Sequence, residues 1–416
     1  MAEILLIKLG ALGDVVRTTC VLNGLNEKYP GVNITWVTLP NHVEVLKNVP
    51  FIKEIVPLTE DGKNHIKSKI FDIVINFDED KESCSLATEN SKEDLSKIYG
   101  FYFENGQIKC SPSAKEYFDM SLLGEKPMND VLKKNNTKTY QRLMLDILQI
   151  NPKNWNILYN INSEQKIFAN KFKIKQNIRE NQKIDAPPPT KVGGLIGARF
   201  LDVSKTSVFE HLEIQVNFSA RNFFLKRNFC TEVCHCEQTS CDRSADHIRK
   251  NVVLGRHCRH DKVIGINTGA GDRWPSKRLS IRKTINLINL LSERTNSKII
   301  LFGGPGERER NKEILENTAI KIIDSGCENS ISQFAALIDV CDVLITTDTA
   351  ALHFALGLDK KVIALIGPTS SAEIELYDRG DKIIPNHDCV CCYKPDCVCM
   401  DFLDENVVCT KAMSYL

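Results

Sequence analysis

No stretch of this 416-residue sequence reaches the ~18 uninterrupted apolar residues that a membrane-crossing helix needs. A dominant charge is also missing. Fifty-four Lys and Arg stand against 53 Asp and Glu, a formal net charge of +1, so nucleic acid is not expected as a partner. The opening MAEILLIKLGALGD lacks the basic start and small-residue cleavage site of a signal peptide. Glu3 and Lys8 interrupt it and a Gly-containing turn follows, so it reads as a buried first strand of a cytoplasmic protein. Cysteine is abundant instead. Five of the sixteen lie between Cys230 and Cys258 and six between Cys389 and Cys409, which without an export signal favours reduced thiols or metal ligands over a disulfide framework.

The rest of the composition is that of a globular protein, 42% hydrophobic and 26% charged with mean hydropathy −0.21. The length exceeds one compact core and predicts two domains with an insertion. Ile4 to Ile7 reads as a parallel strand, the turn Gly10 to Gly13 leads into a helix from Asp14 to about Tyr29, and Pro30-Gly31 stops it. Val32 to Thr38 and Ile70 to Phe77 read as further strands, and 112–175 as mostly helical. The same grammar restarts at Lys262. Strands are predicted at 262–267, 298–302, 343–346 and 362–366, with a long helix from Ile281 to Thr295. Between these halves, 182–261 opens on Pro187-Pro188-Pro189, shows no sustained period, and spaces Cys230, Cys234, Cys236 and Cys241 unlike a common zinc motif. It reads as a poorly ordered insertion or as sequence outside the native reading frame. The expected division is 1–181, 182–261, 262–385 and a Cys-rich tail, 386–416.

Four motifs follow strands. Gly10-x-x-Gly13-Asp14 lacks the third glycine of a dinucleotide fingerprint, and the second strand ends Thr38-Leu39-Pro40 without the acid a ribose would need, so NAD is disfavoured. What remains is a carboxylate, Asp14, at a helix start on the carboxyl edge of a sheet, which is equally what a helix dipole favours. Thr268-Gly269-Ala270-Gly271 is a small-residue turn that lets backbone N–H groups approach an anion, with Lys277 within reach of a phosphate. Glu307, after Gly303-Gly304-Pro305-Gly306, can accept from ribose hydroxyls or serve as a solvated helix-start acid. In Thr346-Thr347-Asp348-Thr349-Ala350-Ala351-Leu352-His353 a strand ends in polar residues and a helix begins. His353 lies one turn in, facing the same spot unless it is structural.

In this order the four motifs resemble glycosyltransferase family nine, the ADP-heptose:lipopolysaccharide heptosyltransferases. The resemblance covers KLGALGDVVRTT, nearly everything from Lys262 to about Ile384, and more loosely 70–150; 182–261 matches nothing in it. It implies a GT-B α/β fold, two Rossmann-like domains facing across a cleft, with the acceptor on the first and the nucleotide sugar on the second. It assigns Asp14 as the proposed general base, Lys277 to the phosphates, Glu307 near the ribose, and Asp348, Thr349 and His353 to the donor, beside the turn at Thr268 and Gly269. Two departures bear on donor identity: Ala350 stands where the family has glycine, and Leu279-Ser280 where it has Trp-Pro.

The implied reaction is an inverting, metal-independent transfer of heptose or a related sugar from an ADP donor to a lipopolysaccharide-core or other glycan acceptor. It needs no cofactor and takes place at the cytoplasmic face of the membrane, with peripheral contact. Asp14 is expected to have its pKa raised by partial burial, so that it works as a base. An epimerase acting on a nucleotide sugar and a non-catalytic nucleotide-sugar-binding homologue are the competing readings. In the tail, Cys389, Cys392, Cys397 and Cys399 can supply four thiolates to a structural zinc or iron–sulfur centre, or stand as buried thiols or disulfides.

Overall fold

The computed structural model describes residues 1–179, 261–271 and 274–416. The stretch 182–261 therefore lies, except for Asp261, outside the described residues. Two six-stranded sheets carry the chain. The first holds β1 (Glu3–Ile7), β2 (Asn33–Thr38), β3 (Ile52–Pro57), β4 (Ile73–Asn76), β5 (Ile98–Glu104) and β6 (Gln107–Cys110), ordered β3-β2-β1-β4-β5-β6. The second holds β7 (Val263–Asn267), β8 (Lys298–Phe302), β9 (Ile323–Asp324), β10 (Val343–Thr347), β11 (Lys361–Leu365) and β12 (Gly380–Ile383), ordered β12-β11-β10-β7-β8-β9. All pairings are parallel except the β5–β6 hairpin. Both sheets have the doubly wound order in which the winding reverses between the first and fourth strands, here β1/β4 and β7/β10. Open α/β sheets bind ligands outside the carboxyl ends of the strands at that reversal.

The central strands are apolar runs because helices cover both their faces. Ile4 to Ile7 and Val343 to Ile345 are essentially inaccessible to water. The hairpin turns on Asn105 and Gly106, both at positive φ, the conformation that a two-residue hairpin loop needs. Where one helix was predicted after Gly13 there are two, Leu12–Thr18 and Val21–Lys28. The Thr19 hydroxyl donates to the Val16 carbonyl at 2.7 Å and accepts from the Leu158 N–H at 2.9 Å, offering the backbone a local alternative to continued helix. The 112–175 stretch contains helices at Lys115–Met120, Met128–Asn135, Tyr140–Ile147 and Ser163–Lys175, with irregular chain between the last two.

The two sheets belong to one compact unit of the chain. The Leu12–Thr18 helix packs on the Ala350–Gly357 helix, and Val15, Val16, Ala351, Leu352 and Phe354 lie in one core cluster spanning both sheets. Each fully buried aliphatic side chain there is worth roughly 1.5–3 kcal/mol relative to exposure. The Ser163–Lys175 helix crosses to the Ile331–Ile338 helix, where Gln165 Nε2 donates to the Ser332 carbonyl at 3.2 Å. The tail returns as the Glu405–Met413 helix onto Ile281–Arg294, fastened by Lys283–Glu405 at 2.9 Å. Among the described residues, no helix is long and apolar enough to cross a membrane.

Candidate active site at the two sheet reversals

The carboxyl ends of β1, β7, β8 and β10 lead into the sequence-selected residues Asp14, Thr268, Glu307 and Asp348 in turn. Gly13, after β1, touches the start of the Ala350–Gly357 helix. A Cβ there would stand 2.9 Å from His353 Cδ2 and 3.3 Å from the Ala350 N and Cα. Only glycine permits that approach, and it carries Asp14 to the Asp348–His353 motif. Ala350 thus sits at a close contact between the two halves.

Three cations line this place, each against an acid. Lys8 at the end of β1 meets Asp78 beyond β4 at 2.5 Å. Arg17, one turn below Asp14, meets it at 2.8 Å and places its guanidinium carbon over the Tyr140 ring, 3.6 Å from its centroid. Lys277 meets the Asp348 carboxylate at 2.8 Å and its carbonyl at 3.0 Å. Burial works to raise the Asp14 pKa, but Arg17, then Lys8 and His353, outweigh it and hold the carboxyl below its ordinary value. The expected rise is therefore corrected. Burial acts as foreseen, yet the neighbouring cations, Arg17 on the same helix first and then Lys8 and His353 brought in by the fold, reverse its effect.

Asp348 is shifted the same way. Burial would raise it, and Lys277, Arg17 and His353 hold it well below the carboxylate range. His353 is nearly inaccessible and is pushed down to about 4, by burial first and then by Arg17. It is therefore a neutral imidazole near pH 7, 4.0 Å from Asp348, and its Nδ1 is buried without a partner.

Thr349 stands at the N-cap of its helix but does not cap it. Its hydroxyl lies 3.2 Å from that of Thr346 and takes a long bond from Asn267 Nδ2 at 3.4 Å. The first-turn N–H groups consequently have no side-chain cap, the arrangement that accepts an anion. Asn267 also donates to the Gly269 carbonyl and to Thr346, tying the ends of β7 and β10 together.

Thr268, Gly269 and Glu307 form the frame of the turn. The Thr268 N–H and hydroxyl both point to the Phe302 carbonyl, and the hydroxyl lies 2.6 Å from Asn311 Oδ1. Glu307 is buried, accepting from Arg278 and from the Gly304 N–H at 3.0 Å each, with Gly269 against its carboxylate. Arg17, Lys8, Asp78 and Asn267 were not selected from the sequence. Arg17 was legible as the i+3 partner of Asp14, and Asp78 as an acid just past a strand end at the reversal.

In the tail, the Sγ atoms of Cys389, Cys392 and Cys397 lie within 4.8 Å of one another. The Cys389–Cys397 separation is 3.1 Å. Ligands of a tetrahedral zinc with ~2.3 Å Zn–S bonds are roughly 3.8 Å apart, so three soft donors at this spacing suit such an ion with small adjustment. The Cys399 N–H donates to Cys397 Sγ at 3.4 Å, a second contact of the kind that supports a thiolate. Cys399 itself is buried and stands outside the triad.

The geometry sits beside several likenesses. Residues 213–399 match the family described as glycosyltransferase family 9 (heptosyltransferase). That match opens inside 182–261, so the expectation that nothing there belongs to the likeness is corrected from residue 213 onward. The chain is 29% identical over 111 residues to lipopolysaccharide heptosyltransferase 2 of Salmonella typhimurium, covering 26% of this chain and 30% of that one. To lipooligosaccharide heptosyltransferase 2 of Campylobacter jejuni it is 25% identical over 170 residues, covering 37% and 51%. The chain thus spans about half or less of these relatives' lengths. Among solved structures it superposes on a family 9 glycosyltransferase of Veillonella parvula with TM-score 0.64 at 17% identity, covering 100% and 97% of the two chains. On Escherichia coli ADP-heptose lipopolysaccharide heptosyltransferase II the TM-score is 0.53 at 14% identity, covering 98% of each. The fold is GT-B, and over residues 213–399 the chain resembles glycosyltransferase family 9.

Proposed function

We propose that the chain is an inverting glycosyltransferase that moves heptose or a related sugar from an ADP-linked donor to a lipopolysaccharide-core or other glycan acceptor. The observation that carries this reading is the meeting of Asp14 from one sheet with Lys277, Asp348 and His353 from the other, across the Gly13–Ala350 contact. The acceptor hydroxyl gives its proton to Asp14 as its oxygen bonds to the anomeric carbon. The bond from that carbon to the diphosphate breaks, and the electron pair leaves on ADP.

A carboxylate held below its ordinary pKa is fully ionised near neutrality but weakly basic. It takes the proton late, once bond formation has acidified the hydroxyl. Charge on the departing diphosphate is met by Lys277 and by the uncapped N–H groups at the start of the Ala350–Gly357 helix. The incoming diphosphate draws Lys277 away from Asp348, and Glu307 turns from Arg278 toward the ribose. Thr268 and Gly269 shape the turn on which the nucleotide rests. The chemical step uses no metal. The thiol triad serves as a structural site, with Cys389, Cys392 and Cys397 as ligands. The enzyme works at the cytoplasmic face of the membrane, in peripheral contact with a glycolipid acceptor.

The test is release of ADP from ADP-heptose with a lipopolysaccharide-core acceptor. Asp14→Asn should abolish turnover and still bind ADP. Near-normal turnover in that variant would reject Asp14 as the base, and product formed without acceptor would favour the epimerase reading.

A further inference from the structure

The thiol triad brackets a short loop. Cys389 and Cys392 precede Tyr393 and Lys394, and Cys397 closes behind them. That loop lies directly against the turn that bears Lys277. Ser276 Oγ, next to Lys277 in sequence, donates to the Lys394 carbonyl at 3.0 Å. The Trp274 ring meets the Tyr393 ring edge-on, 6.4 Å between centroids and 76° between planes.

Tyr393 is itself held from several sides. Its N–H donates to the Pro368 carbonyl at 2.8 Å, and its hydroxyl accepts from the Ser370 N–H at 3.2 Å and donates to Glu373 at 3.1 Å. Lys133, from the Met128–Asn135 helix of the first half, places its ammonium 4.2 Å from the ring centroid. The segment that holds Tyr393 therefore follows β11 at the carboxyl end of the donor sheet, beside the site. A surface loop with no role beyond closing the chain would not need a side chain fixed by both halves and by the donor turn at once.

We propose that the thiol-bracketed loop is a strut of the donor site, in which the Cys389–Cys392–Cys397 triad fixes Tyr393 and Lys394 against Trp274 and Ser276 and so positions Lys277 for the donor diphosphate. Tyr393 and Ser276 are positioning residues, since each acts through the turn and not on the ligand. For the role of Lys277 the inference rests on the function proposed above, while the mechanical link from triad to turn does not.

Two measurements on the full chain separate these layers. Hydrogen exchange of the 274–280 backbone reads the turn without any ligand. Cys389→Ser with Cys397→Ser, and separately Tyr393→Ala, should speed it severalfold while the Ser163–Lys175 helix exchanges as before. Unchanged exchange at 274–280 would overturn the strut whatever the protein binds. Calorimetry with ADP then reads the consequence. Tyr393→Ala and Ser276→Ala should weaken ADP about fivefold or more, Tyr393→Phe should keep affinity because the ring contacts survive, and in a Lys277→Ala background neither change should weaken ADP further. Additive losses in that double-mutant cycle would show that the loop does not act through Lys277. If the exchange effect appears but the wild-type protein ignores ADP, the strut stands and the donor assignment fails.

Discussion

Lys8, Arg17 and Lys277 each stand against an acid, at Asp78, Asp14 and Asp348, so the site is densely charged but locally neutral. Removing one member leaves its partner in a poorly solvated place, the costlier half of breaking a buried pair. Arg17→Gln should therefore raise the Asp14 pKa toward and above its ordinary value, moving the acid limb of the pH–kcat/KM profile upward. An unmoved limb would detach Arg17 from Asp14. His353 gives a second pH signature. The unfolded chain binds a proton at this imidazole near pH 6.5, and the folded chain resists until about 4. Stability is thus complete above pH 6.5 and falls as pH drops toward 4, by roughly 3 kcal/mol at about 1.4 kcal/mol per pKa unit. Denaturant titrations of His353→Leu across that window should show the slope flattened, and an identical slope would place the titration elsewhere. Asp14, Asp348 and His353 were readable because they lie in contiguous motifs. The direction of the Asp14 shift was legible only in part, since Arg17 is its i+3 neighbour whereas Lys8 and His353 reach it only through folding.

Among the elements, the Leu12–Thr18 and Ala350–Gly357 helices carry a close approach of the two halves, through Gly13. Gly13→Ala forces a methyl group into the Ala350 backbone and the His353 ring. Melting should show a loss of about 1–3 kcal/mol, the usual penalty for overpacking, together with weakened donor binding. No loss would mean that the halves separate freely there. The parallel strands announced themselves as apolar runs, and the Ile281–Arg294 helix as an amphipathic one capped by Ser280. β3 was passed over because Lys53 and Glu54 interrupt it, as suits a strand paired along one side only. The β5–β6 hairpin was legible in its Asn105-Gly106 turn, although its strands hold few wholly buried residues. The break after Thr18 was not legible, because Thr19 makes it by bonding to Leu158 far along the chain.

At the scale of the whole molecule, two doubly wound sheets place their reversals together, and the GT-B architecture follows from repeating one grammar twice. The tail closes back on the second half through the Glu405–Met413 helix, so its thiols belong to that half. If they hold a metal, protein purified without chelator should contain about one zinc or iron per chain, and stripping it should lower the melting temperature. Metal-free protein of unchanged stability would leave the triad as thiols alone. The central claim, a nucleotide site built on Lys277 and the Asp348 helix start, is tested most directly by melting the protein with ADP, UDP, GDP, NAD and ADP-heptose, alongside Lys277→Ala. A ligand at 100 times its Kd adds about 2.7 kcal/mol. Selective stabilisation by ADP and ADP-heptose that disappears in Lys277→Ala is the expected result, and equal indifference to all five ligands in the wild-type protein would contradict it.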